Sequence, residues 1–243
     1  MKTPWKFHNL AGGELQIDLM EEIGGDAWTG EGITSKQFSQ DLQDAGDVRS
    51  IALFVNSPGG SCFEGLSIYN QLLAHPARVT ATVTGLAASI ASVIIMAADK
   101  IYIAKNALIM IHNAFTVTAG DAEDFRHMAD VLDKVQGSLV TAYKRHSPLS
   151  VAKIQAMCDD ETWMDSKEAV ANGFATNILP DEQDSVAAGI DLSKFAAKFK
   201  NVPAPIAARF AGTRPDDVQG VPETERARLT QRLALLKRLG PTL

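Results

Sequence analysis

Residues 51–73 read IALFVNSPGGSCFEGLSIYNQLL. An unbroken apolar run, Ile51–Val55, stops at Asn56-Ser57-Pro58-Gly59-Gly60, and Leu66, Tyr69, Leu72 and Leu73 then recur at helical spacing. A short apolar run without alternation suits a strand buried on both faces. Strand, glycine turn and helix form the repeating unit of a parallel sheet. The same unit continues in both directions. Upstream, Glu14–Met20 alternates like a strand and Ile33–Leu42 is helical. Downstream, Val79–Val83 is a strand, Ala87–Ala98 a buried helix, and Ile101–Ile103 and Leu108–Ile111 two more strands. The fold class is therefore α/β with a largely parallel sheet. Such sheets place their sites in loops after the strand carboxyl ends. Those loops are Asn56–Gly60, Thr84–Ser89 and the one starting at His112.

From Asp121 to His146 the pattern changes. Phe125, Met128, Leu132, Val135, Leu139 and Tyr143 recur at three- and four-residue steps, which predicts one long amphipathic helix. It is longer than a crossover needs, so it is expected to project and pack on a partner. A short helix at Val151–Met157, a strand at Thr162–Met164, a helix at Lys167–Ala171 closed by Asn172-Gly173, and a strand at Ala175–Leu179 complete the body. The expected domain spans residues 1–184. Residues 185–222, with Pro203, Pro205, Pro215 and Pro222, read as a linker. Residues 223–243 carry a helix, Glu223–Leu239, with Leu229, Leu233, Leu236 and Leu239 on one stripe among basic residues. The tail from about Asn201 is expected to be a tether dispensable for the chemistry.

Composition narrows the class. The 243 residues are 46% hydrophobic and 21% charged, with a formal charge of −6. A mildly acidic chain is a poor nucleic-acid binder. The most apolar stretch, Gly85–Ala98, has fourteen residues and falls short of the roughly 20 of a membrane helix. Cys62 and Cys158 make neither a disulfide framework nor a zinc spacing and suit a reducing, cytoplasmic setting. No metal or cofactor is expected.

Three features share the sheet edge. Ser89 opens a buried helix after Gly85-Leu-Ala-Ala88, where small residues let a substrate approach its hydroxyl. Alone, it reads as an N-cap. A nucleophilic serine needs a base. Of the five histidines, His8 lies in an unstructured-looking start, His75 and His146 at helix ends, and His127 off the apolar stripe of the long helix. His112 ends an apolar strand at a loop, 23 residues after Ser89. Alone, it reads as a core histidine. Gly59-Gly60 exposes backbone N–H groups of the kind that hold an oxyanion. Their coincidence outweighs the separate structural readings.

Asn56-Ser57-Pro58-Gly59-Gly60, Gly85-Leu86-Ala87-Ala88-Ser89 and Met110-Ile111-His112 together resemble the motifs of the Clp protease proteolytic subunit family, over about residues 13–180. Ser166-Lys-Glu-Ala-Val170 with Gly173-Phe174 resembles its closing segment. The resemblance implies a crotonase-like β-α superhelix with a projecting handle helix. It implies a serine endopeptidase acting on unfolded or flexible polypeptides, with Ser89 as nucleophile, His112 as base, and Gly60 and Ile90 as oxyanion donors. Alignment on Trp163-Met164 puts Glu161 in the third triad position, with Asp160 second and Asp159 beside it. It also implies a homo-oligomeric ring, single or stacked, with no nucleic-acid or membrane partner.

The chain departs from the housekeeping pattern. Ile90-Ala91 follows the serine where Met-Gly is usual, and Asn113-Ala114 follows the histidine where Gln-Pro is usual. Phe115–Gly120 is shorter than the family's handle strand, and the tail is additional. These departures resemble the Clp-like proteases of phages and prophages, some of which process capsid proteins. They weaken the expectation of docking to a Clp-type ATPase. Two alternatives stand beside this reading. One is a crotonase-like acyl-CoA enzyme, which shares the fold but needs no Ser89–His112 pair. The other is a catalytically silent assembly component.

Overall fold

A computed structural model describes residues 5–25, 32–180, 199, 201 and 202. Residues up to Asn201 group into one unit. The helix expected at Glu223–Leu239, and all of the expected linker except residues 199, 201 and 202, lie outside the described residues.

The main sheet has eight strands, with β1 (Trp5–Leu10), β2 (Glu14–Leu19), β5 (Ser50–Ser57), β6 (Arg78–Ala88), β7 (Lys100–Ile103) and β10 (Asn177–Ile178) side by side in that order. The two-residue strands β3 (Gly24–Gly25) and β4 (Gly32–Ile33) pair separately. Along that row pairing is parallel from β2 to β10 and antiparallel between β1 and β2. Leu53, Val55, Ala81, Val83, Ile101 and Ile103, on the three central strands, are at most 1% exposed.

Strand β1 corrects the unstructured start expected around His8. Trp5 and Phe7 alternate with Lys6 and His8. Their rings pack edge-on against Phe38 of α1 (Ser35–Asp44), each at a centroid distance of 5.4 Å. One buried and one partly buried aromatic ring are enough to hold a short edge strand. His8 lies across the ladder from this packing, 3.5 Å from the Asp18 carboxylate.

Strand β6 runs on where the sequence suggests a turn. Its first half pairs with β7, and Leu86–Ala88 pair in parallel with Leu108–Met110 of β8 (Leu108–Ile111). Ala87 also pairs with Ser57 of β5. These ladder bonds keep the two alanines extended, against their helical preference. The buried helix therefore starts at Ile90 instead of Ala87. It comprises α3 (Ile90–Ile94) and one 3₁₀ turn, Ile95–Ala97.

Helix α2 (Cys62–Ala74) starts on an Ser61 cap that accepts from the Glu64 N–H. The long helix α4 spans Ala122–Tyr143, behind a capping box in which Asp121 and Asp124 each accept from the other's backbone. Its C-terminal half buries Leu139, Val140 and Tyr143, while Phe125 near its start is half exposed. The body closes with α5 (Val151–Asp159), β9 (Thr162–Met164) and α6 (Ser166–Ala171), and β9 runs antiparallel to β8. Leu86, Ala88 and Met110 face away from the main core. They form a second, smaller cluster with Leu108, Trp163 and Phe199.

Candidate active site

Ser89 is the hinge residue between β6 and α3, with φ 54° and ψ −130°. It makes no side-chain cap bond to the helix it precedes, so the N-cap reading does not describe it. Its N–H donates to the Met110 carbonyl of β8 at 2.9 Å, which fixes the turn. Its Oγ lies 2.8 Å from Nε2 of His112. His112 follows the last residue of β8, so the parallel pairing of β6 and β8 carries both residues to one edge.

Only two non-glycine residues among those described have positive φ, Ser89 and Glu161 (φ 49°). Such conformations cost about 1–3 kcal/mol each and persist where the surroundings enforce them. Glu161 sits between α5 and β9. Ile111 pairs with Thr162, and His112 and Glu161 are the next residues beyond that last pair on the two strands. It is 7% exposed. Its Oε1 accepts from Trp163 Nε1 at 3.3 Å and from the Asn201 N–H at 2.7 Å.

Asp160, the second candidate, is exposed and caps α5, and its carbonyl accepts from Asn201 Nδ2 at 2.6 Å. Asp159 is committed elsewhere. Its Oδ1 accepts from Asn113 Nδ2 and Gln155 Nε2, both at 2.8 Å, and these bonds hold its carboxyl below the usual range. The loop after His112 is pinned by the same side chains. Gln155 also donates to Asn113 Oδ1, and the Ala114 N–H donates to Gln136 Oε1 of α4.

Gly59-Gly60 lies against the serine turn. A Cβ on Gly59 would stand 2.5 Å from Ser89 Cβ and 3.1 Å from Ile90 N, and φ there is +94°. On its other side the pair is bridged to Ile23, whose N–H donates to the Gly59 carbonyl and whose carbonyl accepts from the Ser61 N–H. A Cβ on Gly60 would collide with the Ile23 carbonyl oxygen at 1.8 Å. Only glycines fit this slot. The bridge turns the Gly60 N–H away from Ile23. Ile90, as the first helical residue, has no intrahelical acceptor for its own N–H. The geometry thus gathers a hydroxyl and an imidazole beside the Gly59-Gly60 turn.

Other nucleophile candidates are engaged. Ser57 Oγ donates to the Glu21 carbonyl, and Ser92 Oγ donates to the Ser89 carbonyl while sharing a hydrogen bond with the buried Tyr143 hydroxyl. Burial pushes the Cys62 thiol up and the Cys158 thiol to about 11, which disfavours the thiolate at both. Among the described residues no cluster of His, Cys, Asp or Glu could hold a metal ion. Two residues beside the site have no counterpart in the sequence reading, Phe199 and Asn201. They fall in the expected linker yet touch Trp163, His112 and Glu161.

The Clp protease family model matches residues 17–182. An ATP-dependent Clp protease proteolytic subunit of Bacteroides fragilis is 31% identical over 156 residues, covering 63% of this chain and 74% of that protein. The subunit of Porphyromonas gingivalis is 31% identical, covering 63% and 69%. Proteolytic subunit 2 of Thermobifida fusca is 32% identical over 138 residues, covering 56% and 68%.

Proposed function

The chain belongs to the Clp protease family and is a serine-type peptidase; on that premise we propose that Ser89, His112 and Glu161 form its catalytic triad, with the Gly60 and Ile90 N–H groups as oxyanion donors. The observation that carries the assignment is the 2.8 Å contact between Ser89 Oγ and His112 Nε2, made by a serine that caps nothing.

In the reaction, Nε2 of His112 takes the Ser89 hydroxyl proton as Oγ attacks a peptide carbonyl. The carbonyl oxygen becomes an oxyanion, and the two N–H groups stabilise it; one such donor is worth about 10²–10³ in rate. Collapse breaks the C–N bond, and His112 passes its proton to the leaving amine. Water, deprotonated by His112, then attacks the acyl ester and releases Ser89. The Glu161 carboxylate holds the ring and balances the imidazolium charge.

The substrates inferred are unfolded or flexible polypeptides. The half-exposed Phe125, Met128 and Leu132 of α4 support a homo-oligomeric ring that encloses the sites. The departures at Ile90-Ala91 and Asn113-Ala114, with residues 115–120 outside any strand, support a phage- or prophage-type protease of the cytoplasm and weaken the case for docking to a Clp ATPase. Among the described residues no helix is long and apolar enough to cross a membrane.

The test is a fluorophosphonate probe followed by peptide mapping. Labelling should fall on Ser89 alone, and Ser89→Ala should lose about 10³-fold or more in peptide cleavage while staying folded. Labelling that persists in Ser89→Ala, at Ser92 or Ser57, sinks the assignment.

A further inference from the structure

Phe199, twenty-one residues after Ile178 at the end of β10, lies at the acid side of the proposed triad. The Phe199 ring stands edge-on to His112, with centroids 6.0 Å apart and planes at 72°. It stands likewise to Trp163, at 5.8 Å and 86°. It covers the apolar cluster of Leu86, Ala88 and Met110, on the face of β6 and β8 that the main core leaves uncovered. Two residues on, Asn201 donates its N–H to Glu161 Oε1 and its Nδ2 to the Asp160 carbonyl. The family match ends at residue 182, so these contacts belong to a segment outside the matched domain.

We infer that Phe199 and Asn201 are positioning residues for His112 and Glu161, supplied to the site by the C-terminal extension. The inference rests on the triad proposed above. A glutamate has one more rotatable bond than an aspartate, so its carboxylate needs more restraint to serve the same ring. Donors from Trp163 and Asn201 converge on one oxygen, Oε1, and fix the rotation of the carboxyl plane. Phe199 closes the same side with an aromatic edge. Glu161 is 7% exposed there, and the attraction of a carboxylate for an imidazolium is stronger in such a low-dielectric setting. The other nearby carboxylate, Asp159, is turned to Asn113 and Gln155 and does not compete for the role.

The experiment uses the full-length assembled protein and a short unstructured fluorogenic peptide. Four variants are compared: Phe199→Ala, Phe199→Leu, Asn201→Pro, which deletes the donated N–H, and Asn201→Ala, which keeps it. Phe199→Ala and Asn201→Pro should lower kcat by up to about 10²-fold, the cost of misplacing a reacting group by an ångström, with KM within about twofold. Phe199→Leu and Asn201→Ala should recover most of the rate. In Asn201→Pro the acid limb of the kcat/KM profile should move to lower pH, because a poorly held carboxylate supports the imidazolium less. Wild-type kcat and pH profile in both Phe199→Ala and Asn201→Pro overturn the inference. So does a rate above wild type, which would make the segment a plug over the site. If Asn201→Pro fails to fold, the Phe199 pair still decides. Stoichiometric labelling of Ser89 in the parent separates failure here from failure of the triad itself.

Discussion

Gly59→Ala tests the site from its most crowded side. The new methyl would stand 2.5 Å from Ser89 Cβ, 2.7 Å from the Ala88 carbonyl oxygen and 3.1 Å from Ile90 N. None of these is the end of a flexible side chain. Restoring ordinary contact requires the glycine turn and the serine turn to part by roughly 1 Å. Displacement on that scale costs about 10² in rate when it separates a nucleophile from its oxyanion donors. The backbone adds its own penalty, since φ is +94° and an alanine there loses about 1–2 kcal/mol. Gly46→Ala is the control, because Gly46 also has positive φ (+72°) but nothing within 4 Å of its would-be Cβ. Both variants should melt lower by a few degrees, at about 2–4 °C per kcal/mol for a domain of this size. Only Gly59→Ala should lose about 10²-fold in kcat/KM on a short peptide, with slower fluorophosphonate labelling of Ser89. Activity within twofold of Gly46→Ala would refute the placement of Gly59-Gly60 against the reacting centre.

Glu161→Ala should lose most of kcat, Glu161→Asp less, and Asp160→Ala almost none; steady-state kinetics with the reverse order at 160 and 161 would shift the triad by one residue. Tyr143→Phe removes the buried hydroxyl shared with Ser92, so it should cost about 1 kcal/mol in denaturant unfolding with activity largely kept. Asn113→Ala should raise the Asp159 carboxyl toward its ordinary value, read by NMR titration. That carboxyl sits lower folded than unfolded, so its contribution is present above the unfolded value near pH 4 and lost as pH falls through the folded one. The melting difference between parent and Asn113→Ala should therefore shrink in acid. Phe125→Asp with Leu132→Asp should shift sedimentation to smaller species; Leu139, buried within its own subunit, is unsuited to that test.

Periodicity was enough to locate most of the sheet. Ile51–Val55 and Leu108–Ile111 are apolar because both of their faces are covered, and that shows in any window of the chain. The path of β6 was not legible. Gly85–Ala88 is small-residue sequence, extended only because β5 and β8 pair with it, and pairing is set by residues far away. Strand β1 left a fainter trace, the alternation of Trp5 and Phe7 with Lys6 and His8, whose meaning depends on Phe38. At the proposed site, Ser89 and His112 drew attention in the sequence because each follows the last residue of a strand. Glu161 came from the family pattern, and its place just beyond the last strand pair depends on the β8–β9 register. Phe199 and Asn201 had no local signal, because what they touch lies dozens of residues back in the chain.

The two positive φ values at Ser89 and Glu161 have a bearing on how such a chain would age. Neither residue suits the backbone it occupies; glycine would fit both at less cost. In the proposed triad the pull of stability therefore opposes the pull of chemistry at two of three positions and is absent at His112, which follows the last residue of β8. In a lineage released from selection for peptide cleavage, drift toward glycine at 89 and 161 would be rewarded, while 112 could wander freely. Decayed relatives that keep the fold but not the reaction should be recognisable by those two glycines before any assay is run.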